Sequence, residues 1–138
     1  MKTVPFKPEH LDQIELGQFE QQDDLMGLFR TMAIGILESG PAKTLMDGDR
    51  PVGAFGIVIT GDIGWSWAVF SDALRRRPVA LHRTALKELN AVTGLRAVHG
   101  TVKHGWKEGA RWLRRLGYVW SGTIRTPDGL LERYTRWA

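Results

Sequence analysis

The 138-residue sequence contains no cysteine, which excludes disulfides, thiolate metal sites and a cysteine nucleophile. It also has no apolar run near the roughly 20 residues of a membrane-spanning helix, so no membrane span is expected. The first ten residues, Met1 to His10, carry no apolar signal-peptide core. These absences predict a protein made and kept in a cytoplasm. Zinc-finger, basic-zipper and RNA-binding signatures are missing, as are Gly-x-Ser-x-Gly and the Walker phosphate loop. The missing signatures argue against nucleic acid as a partner, and the histidines and acids do not fall at metal-ligand spacings, so no metal is expected.

What is present fits one ordinary domain, residues 1–138, large enough to bury a single core. The formal net charge is +4, with its dense positive positions at Arg75, Arg76, Arg77, Arg111, Arg114 and Arg115. Six tryptophans are spread over several elements, which points to an aromatic-rich core or an apolar contact surface.

Hydrophobic periodicity sets the elements. Thr3 to Phe6 reads as a strand, and Pro8 opens a helix continuing to about Glu20. A second helix follows Asp23 or Asp24, with Leu25, Leu28, Phe29, Met32, Ile36 and Leu37 at helical spacing. A meander comes next: Ala42 to Met46, Pro51 to Thr60 and Ile63 to Phe70. In its middle strand, Gly53 and Gly56 predict a bulge or a close backbone approach. The alternation from Ile63 puts Trp65, Trp67 and Val69 on one face and Ser66, Ala68 and Phe70 on the other. A short basic loop, Ala73 to Arg77, leads to a helix opened by Pro78 and ended by Gly94. Leu95 to Val102 then forms a strand and Gly105 to Leu116 a helix that Gly117 closes. A final hairpin turns at Thr126-Pro-Asp-Gly129. The order is β-α-α-β-β-β-α-β-α-β-β, an α/β fold with a mixed sheet and helices on both faces.

The stretch from Trp65 to Val92 organises the rest. A strand, a basic loop and a helix amino terminus in that order make an anion site, because the first helical N–H groups and the dipole both favour negative charge. The guanidinium groups of Arg75, Arg76 and Arg77 add a fork geometry matched to phosphate.

This order, together with Gly109-Ala-Arg-Trp-Leu-Arg-Arg-Leu-Gly-Tyr118, resembles the GNAT superfamily of N-acetyltransferases. A narrower likeness covers residues 43–137: Asp49-Arg-Pro-Val-Gly53, Trp67 followed by Ser71-Asp72, and Arg111 to Tyr118. These segments resemble the small GNAT-like internal virion or assembly proteins of short-tailed phages, the podoviruses. The resemblance implies acetyl-CoA as ligand, with its pyrophosphate at Arg75, Arg76, Arg77, Val79 and Ala80. Its pantetheine arm would lie along the backbone of Ala68, Val69 and Phe70. The family's Gln/Arg-x-x-Gly-x-Gly/Ala loop reads Arg75-Arg-Arg-Pro-Val-Ala80 here, and the absence of glycine predicts a narrower cradle. Setting Gly117-Tyr118 on the family's Gly-Phe puts Leu113 where a tyrosine general acid is usual.

Two functions follow from the resemblance. One is a virion-associated or assembly role with degenerate catalytic motifs and phage structural proteins as partners, located in a host cytoplasm or a virion. The other is an active acetyl-CoA-dependent N-acetyltransferase acting on a small amine or a protein amine. A third reading makes the basic patches a nucleic-acid or protein-binding module. The catalytic candidates are Glu20, His99, His104 and Asp72. Either histidine can take a proton from an amine or be a satisfied structural residue. Ser71-Asp72 can orient a substrate or cap a helix, and Glu20 can be a base or an exposed helix-end carboxylate.

Overall fold

The computed structural model describes residues 2–15, 39–127 and 129–138. Among these, seven strands form one sheet: β1 (Lys2–Pro5), β2 (Ala42–Asp47), β3 (Arg50–Thr60), β4 (Ile63–Phe70), β5 (Ala97–Lys103), β6 (Val119–Thr126) and β7 (Gly129–Trp137). Four helical segments accompany them: α1 (His10–Gln13), α2 (Asp72–Arg75), α3 (Pro78–Ala91) and α4 (Lys107–Arg115). The strands lie in the order β1-β2-β3-β4-β5-β7-β6. All neighbours are antiparallel except β4 and β5, which α3 joins in parallel as a βαβ unit.

Alternation along the strands builds a core on each face. Ala54 and Val69 meet Phe6, Leu11 and Ile14, with Trp67 packed against them. On the opposite face Ile57, Val98, Val102 and Tyr134 meet Ala85 of α3, Leu113 of α4 and Leu116 at its carboxyl cap. Leu45, Phe70, Leu74 and Leu81 continue that second layer. Each such side chain, fully buried, contributes roughly 1.5–3 kcal/mol.

The turns obey local rules. Gly48 and Gly61 take φ +64° and +62° in two-residue hairpins, where a side chain would be strained. Beside Gly53, the register shift opposite Leu45 leaves Val52 as an extra residue, a β-bulge. The close backbone approach occurs at Gly56, where a Cβ would lie 2.8 Å from Pro41 O, whereas one at Gly53 would meet a side chain, 2.7 Å from Leu74 Cδ2. Gly117, at φ +96°, ends α4; its N–H bonds Arg114 O and the Tyr118 N–H bonds Leu113 O, a Schellman closure.

Several boundaries differ from expectation. Helix α3 ends at Ala91, with Val92 already extended, rather than at Gly94. The helix after Pro8 is a single turn that ends at Ile14, where the backbone becomes extended and the side chain enters the core. The basic segment is not wholly a loop, because Ser71 accepts a hydrogen bond from the Leu74 N–H and caps the turn α2. Strand β5 begins at Ala97 rather than Leu95, since Arg96 is tied by its N–H to Asp62 O in the adjoining turn. Helix α4 starts at Lys107, after Gly105 takes φ +88°. The second predicted helix, Leu25 to Leu37, lies outside the described residues.

Candidate functional site

The parallel pair β4–β5 holds register for only three positions, Ile63↔Ala97, Gly64↔Val98 and Trp65↔His99. Beyond them the strands part, while β4 stays paired with β3 as far as Phe70. The Ser71 N–H bonds Val52 O on the β3 side. By strand alternation, the N–H and C=O groups of Ala68 and Phe70 therefore face away from β3, into the fork. No strand among the described residues pairs with them there.

At the outer end of β4 the chain passes through α2 into α3. Pro78 occupies the first helical position, and the N-cap residue Arg77 makes no side-chain cap. The first N–H groups of α3, those of Val79 and Ala80, have no partner within the helix, and Val79 is 63% exposed. The connection needs no positive φ, with Arg76 at −75° and Arg77 at −121°, which is why it forms without glycine. Arg77 is exposed beside this helix end. Arg76 is set differently: with Asp72, Asp47, Arg50 and Glu15 it lines a separate hollow of about 310 Å³ at the β2–β3 turn. Asp72 belongs to that hollow and to the α2 cap region, so the fork does not include it.

One face of the fork carries His99. Its ring lies 4.7 Å from that of Trp65, and its Nδ1 is 2.8 Å from Thr135 Oγ1. The contact continues through Ser121 Oγ, 2.7 Å from Thr135 Oγ1, to Arg133, whose Nε donates to Ser121 Oγ at 3.0 Å. Burial, with the Arg133 charge second, lowers the His99 pKa and favours the neutral imidazole. His104 lies beyond the end of β5 with its Nδ1 2.9 Å from Glu132 Oε1. Glu132 also accepts from Trp120 Nε1 and the Thr123 hydroxyl, so His104 belongs to an exposed carboxylate cluster on the β6–β7 hairpin. The two histidines are not brought together. Glu20 lies outside the described residues.

The other face carries residues that the motif reading passed over. Tyr118 Oη donates to Ser66 Oγ at 3.1 Å, and Ser66 Oγ donates to His99 O at 3.0 Å. Gly100 leaves the room for this, since a Cβ there would lie 2.9 Å from Ser66 Oγ. Leu113 is buried in the core behind them. Trp112 of α4 packs edge-on to Phe70 at 5.3 Å, and its Nε1 is buried without a hydrogen-bond partner among the described residues. The available signals were the small residue Gly100 inside a strand and the even-numbered face shared by Ser66, Ala68 and Phe70.

Taken together, the site offers an open strand edge, a buried unpaired indole N–H and an uncapped helix amino terminus. The strand edge can hydrogen-bond amides, and the helix end favours an anion. Among the described residues no cluster of acids and histidines is suited to a metal, and no helix is long and apolar enough to cross a membrane.

No protein-family model and no curated protein sequence matches the chain. Solved structures do. A protein described as a phosphinothricin N-acetyltransferase superposes with a TM-score of 0.73 at 11% identity, over 99% of this chain and 97% of that one. A chimeric spermidine N-acetyltransferase SpeG from Vibrio cholerae gives 0.67 at 12%, covering 99% and 94%. The aminoglycoside enzyme AAC(6')-Ib, with paromomycin and acetyl-CoA, gives 0.68 at 11%, covering 99% and 92%. At such identities the likeness is one of fold, and the chain has the GNAT fold of N-acetyltransferases.

Proposed function

We propose that the protein is an acetyl-CoA-dependent N-acetyltransferase. The observation that carries this reading is the parting of β4 from β5 after three pairs, which opens a strand edge inside a sheet. In this reading the backbone of Ala68 and Phe70 hydrogen-bonds the pantetheine amides, with Val69 as the residue between them. Arg77 and the N–H groups of Val79 and Ala80 hold the pyrophosphate, and Arg76 contributes least because it lines the hollow at the β2–β3 turn. The acyl donor supplies an activated carbonyl and a thiolate leaving group. The chain's part is to position the amine and hold a proton acceptor near it, a role suited to the neutral imidazole of His99. His104, Asp72 and Glu20 have no part in this assignment.

The acetyltransferases above support this reading more than a virion role, since AAC(6')-Ib carries acetyl-CoA in that fold. Phage structural partners draw no support from them. The test is calorimetric titration with acetyl-CoA, followed by thiol release in the presence of a panel of primary amines. Micromolar binding and amine-dependent release are expected. No heat of binding at millimolar acetyl-CoA would overturn the proposal.

A further inference from the structure

We propose that Tyr118 and Ser66 form the proton-delivery path to the departing thiolate, a task for which Leu113 has no chemistry. The inference rests on the acetyltransferase reading above and assigns two residues of this chain to it.

Position comes first. Ser66 follows the last registered β4–β5 pair, so its hydroxyl stands where the fork opens. Tyr118 is 2% exposed, and its hydroxyl is aimed at Ser66 Oγ from the α4 side. The two residues stand 52 positions apart in sequence, and the Schellman closure of α4 at Gly117 fixes where Tyr118 enters the sheet. The hydrogen bonds run in one direction, from Tyr118 Oη to Ser66 Oγ and from Ser66 Oγ to the strand carbonyl of His99. A rotation about the Ser66 Cβ–Oγ bond redirects its proton from that carbonyl into the fork while Oγ keeps its hydrogen bond from Tyr118. Gly100 keeps the space open, because any side chain there would press on Ser66 Oγ.

Proton affinity agrees with a donor. Burial raises the Tyr118 pKa, against smaller opposing effects of the Ser66 hydrogen bond and Arg136, so the phenol is protonated at neutral pH. In the step itself the amine nitrogen bonds the acyl carbon, the carbon–sulfur bond breaks, and its electron pair stays on sulfur. Ser66 gives its proton to sulfur as it takes one from Tyr118. The amine sheds one proton in becoming an amide, and solvent returns it to the phenolate. No other reactant is needed.

Tyr118→Phe and Ser66→Ala test the path. Tyr118→Phe keeps the ring in the core, so acetyl-CoA affinity should stay within twofold while kcat falls about 10²-fold. The alkaline limb of the wild-type pH profile should flatten in the variant. A second readout needs no turnover: the absorbance change on tyrosine ionisation, as wild type minus Tyr118→Phe, with CoA or desulfo-CoA bound. A thiolate beside the path repels the phenolate, so Tyr118 should ionise at higher pH with CoA than with desulfo-CoA. Equal midpoints, or an unchanged kcat in Tyr118→Phe, would reduce this tyrosine to a packing residue while leaving the acetyltransferase reading intact. Failure of the wild type to bind either nucleotide would overturn that reading and this path together.

Discussion

The rings of Trp65 and His99 lie 4.7 Å apart, tilted by 49°, at the last pair that β4 and β5 form before they diverge. Indole fluorescence therefore reports the charge of the imidazole at the mouth of the fork. Because burial and Arg133 both lower the His99 pKa, quenching of Trp65 on acidification should have its midpoint below the ordinary value of 6.5. Arg133→Gln should move that midpoint upward. Subtracting the Trp65→Phe variant isolates the signal from that of the other five indoles, and a midpoint above 6.5 would contradict the assignment.

The amino terminus of α3 makes the second prediction. Arg77 caps it without a side-chain bond, whereas Arg76 lines the hollow with Asp47 and Asp72. Reversing the charge at Arg77 should weaken acetyl-CoA binding about tenfold, some 1.4 kcal/mol by the affinity relation, chiefly through the pyrophosphate. Arg76→Glu should change it less. Both side chains are exposed, so thermal midpoints should stay near wild type. Equal losses at the two positions would show that the cradle is wider than one helix end.

Much of this architecture was legible because local rules wrote it. The bounds of β4 follow from alternation between the turn at Gly61 and the cap at Ser71. Pro78 marks the start of α3, and Gly117 marks the end of α4. The fork was not written locally, since where a parallel pair comes apart depends on what packs beneath it. Here Trp112 and Leu113 of α4 do so, the first against Phe70 and the second against Val98 and Val102 in the core below. The same limit hid Tyr118 and Ser66. Position 113 of the motif holds a leucine, and the hydroxyls come from other elements, Tyr118 after α4 and Ser66 on β4. Ser71, by contrast, takes the cap role that its place before Asp72 already allows.

Gly56 supplies a stability prediction. A Cβ there would meet Pro41 O and Trp67 Nε1, each at 2.8 Å, and Pro41 O also accepts the Ile57 N–H at 2.9 Å. The strand cannot yield without losing that bond. Gly56→Ala should cost about 1–3 kcal/mol, as overpacking in a core does. Denaturant unfolding checks this, and a loss below 0.5 kcal/mol would mean that the β2–β3 contact is looser than its geometry.

Stability should fall in two stages on acidification. His10 and His99 both have lowered pKa values, through burial first and then through the charges of Lys7 and Arg133 respectively. The fold therefore prefers their neutral forms. Their contribution is present above the ordinary value of 6.5 and is lost as pH falls through the lower folded values. The Glu132 pKa is also lowered, chiefly by its hydrogen bonds from His104 and Trp120, so its contribution is lost only further down, below 4.5. Urea midpoints at pH 7.5, 5.5 and 4.0 should step down accordingly. His10→Asn with His99→Asn should flatten the first step and spare the second, and Glu132→Gln should do the reverse. The two steps separate because the imidazoles lose a proton on burial while the carboxylate keeps its charge by accepting hydrogen bonds. A single step below pH 4.5 would mean that neither histidine is held neutral by the fold.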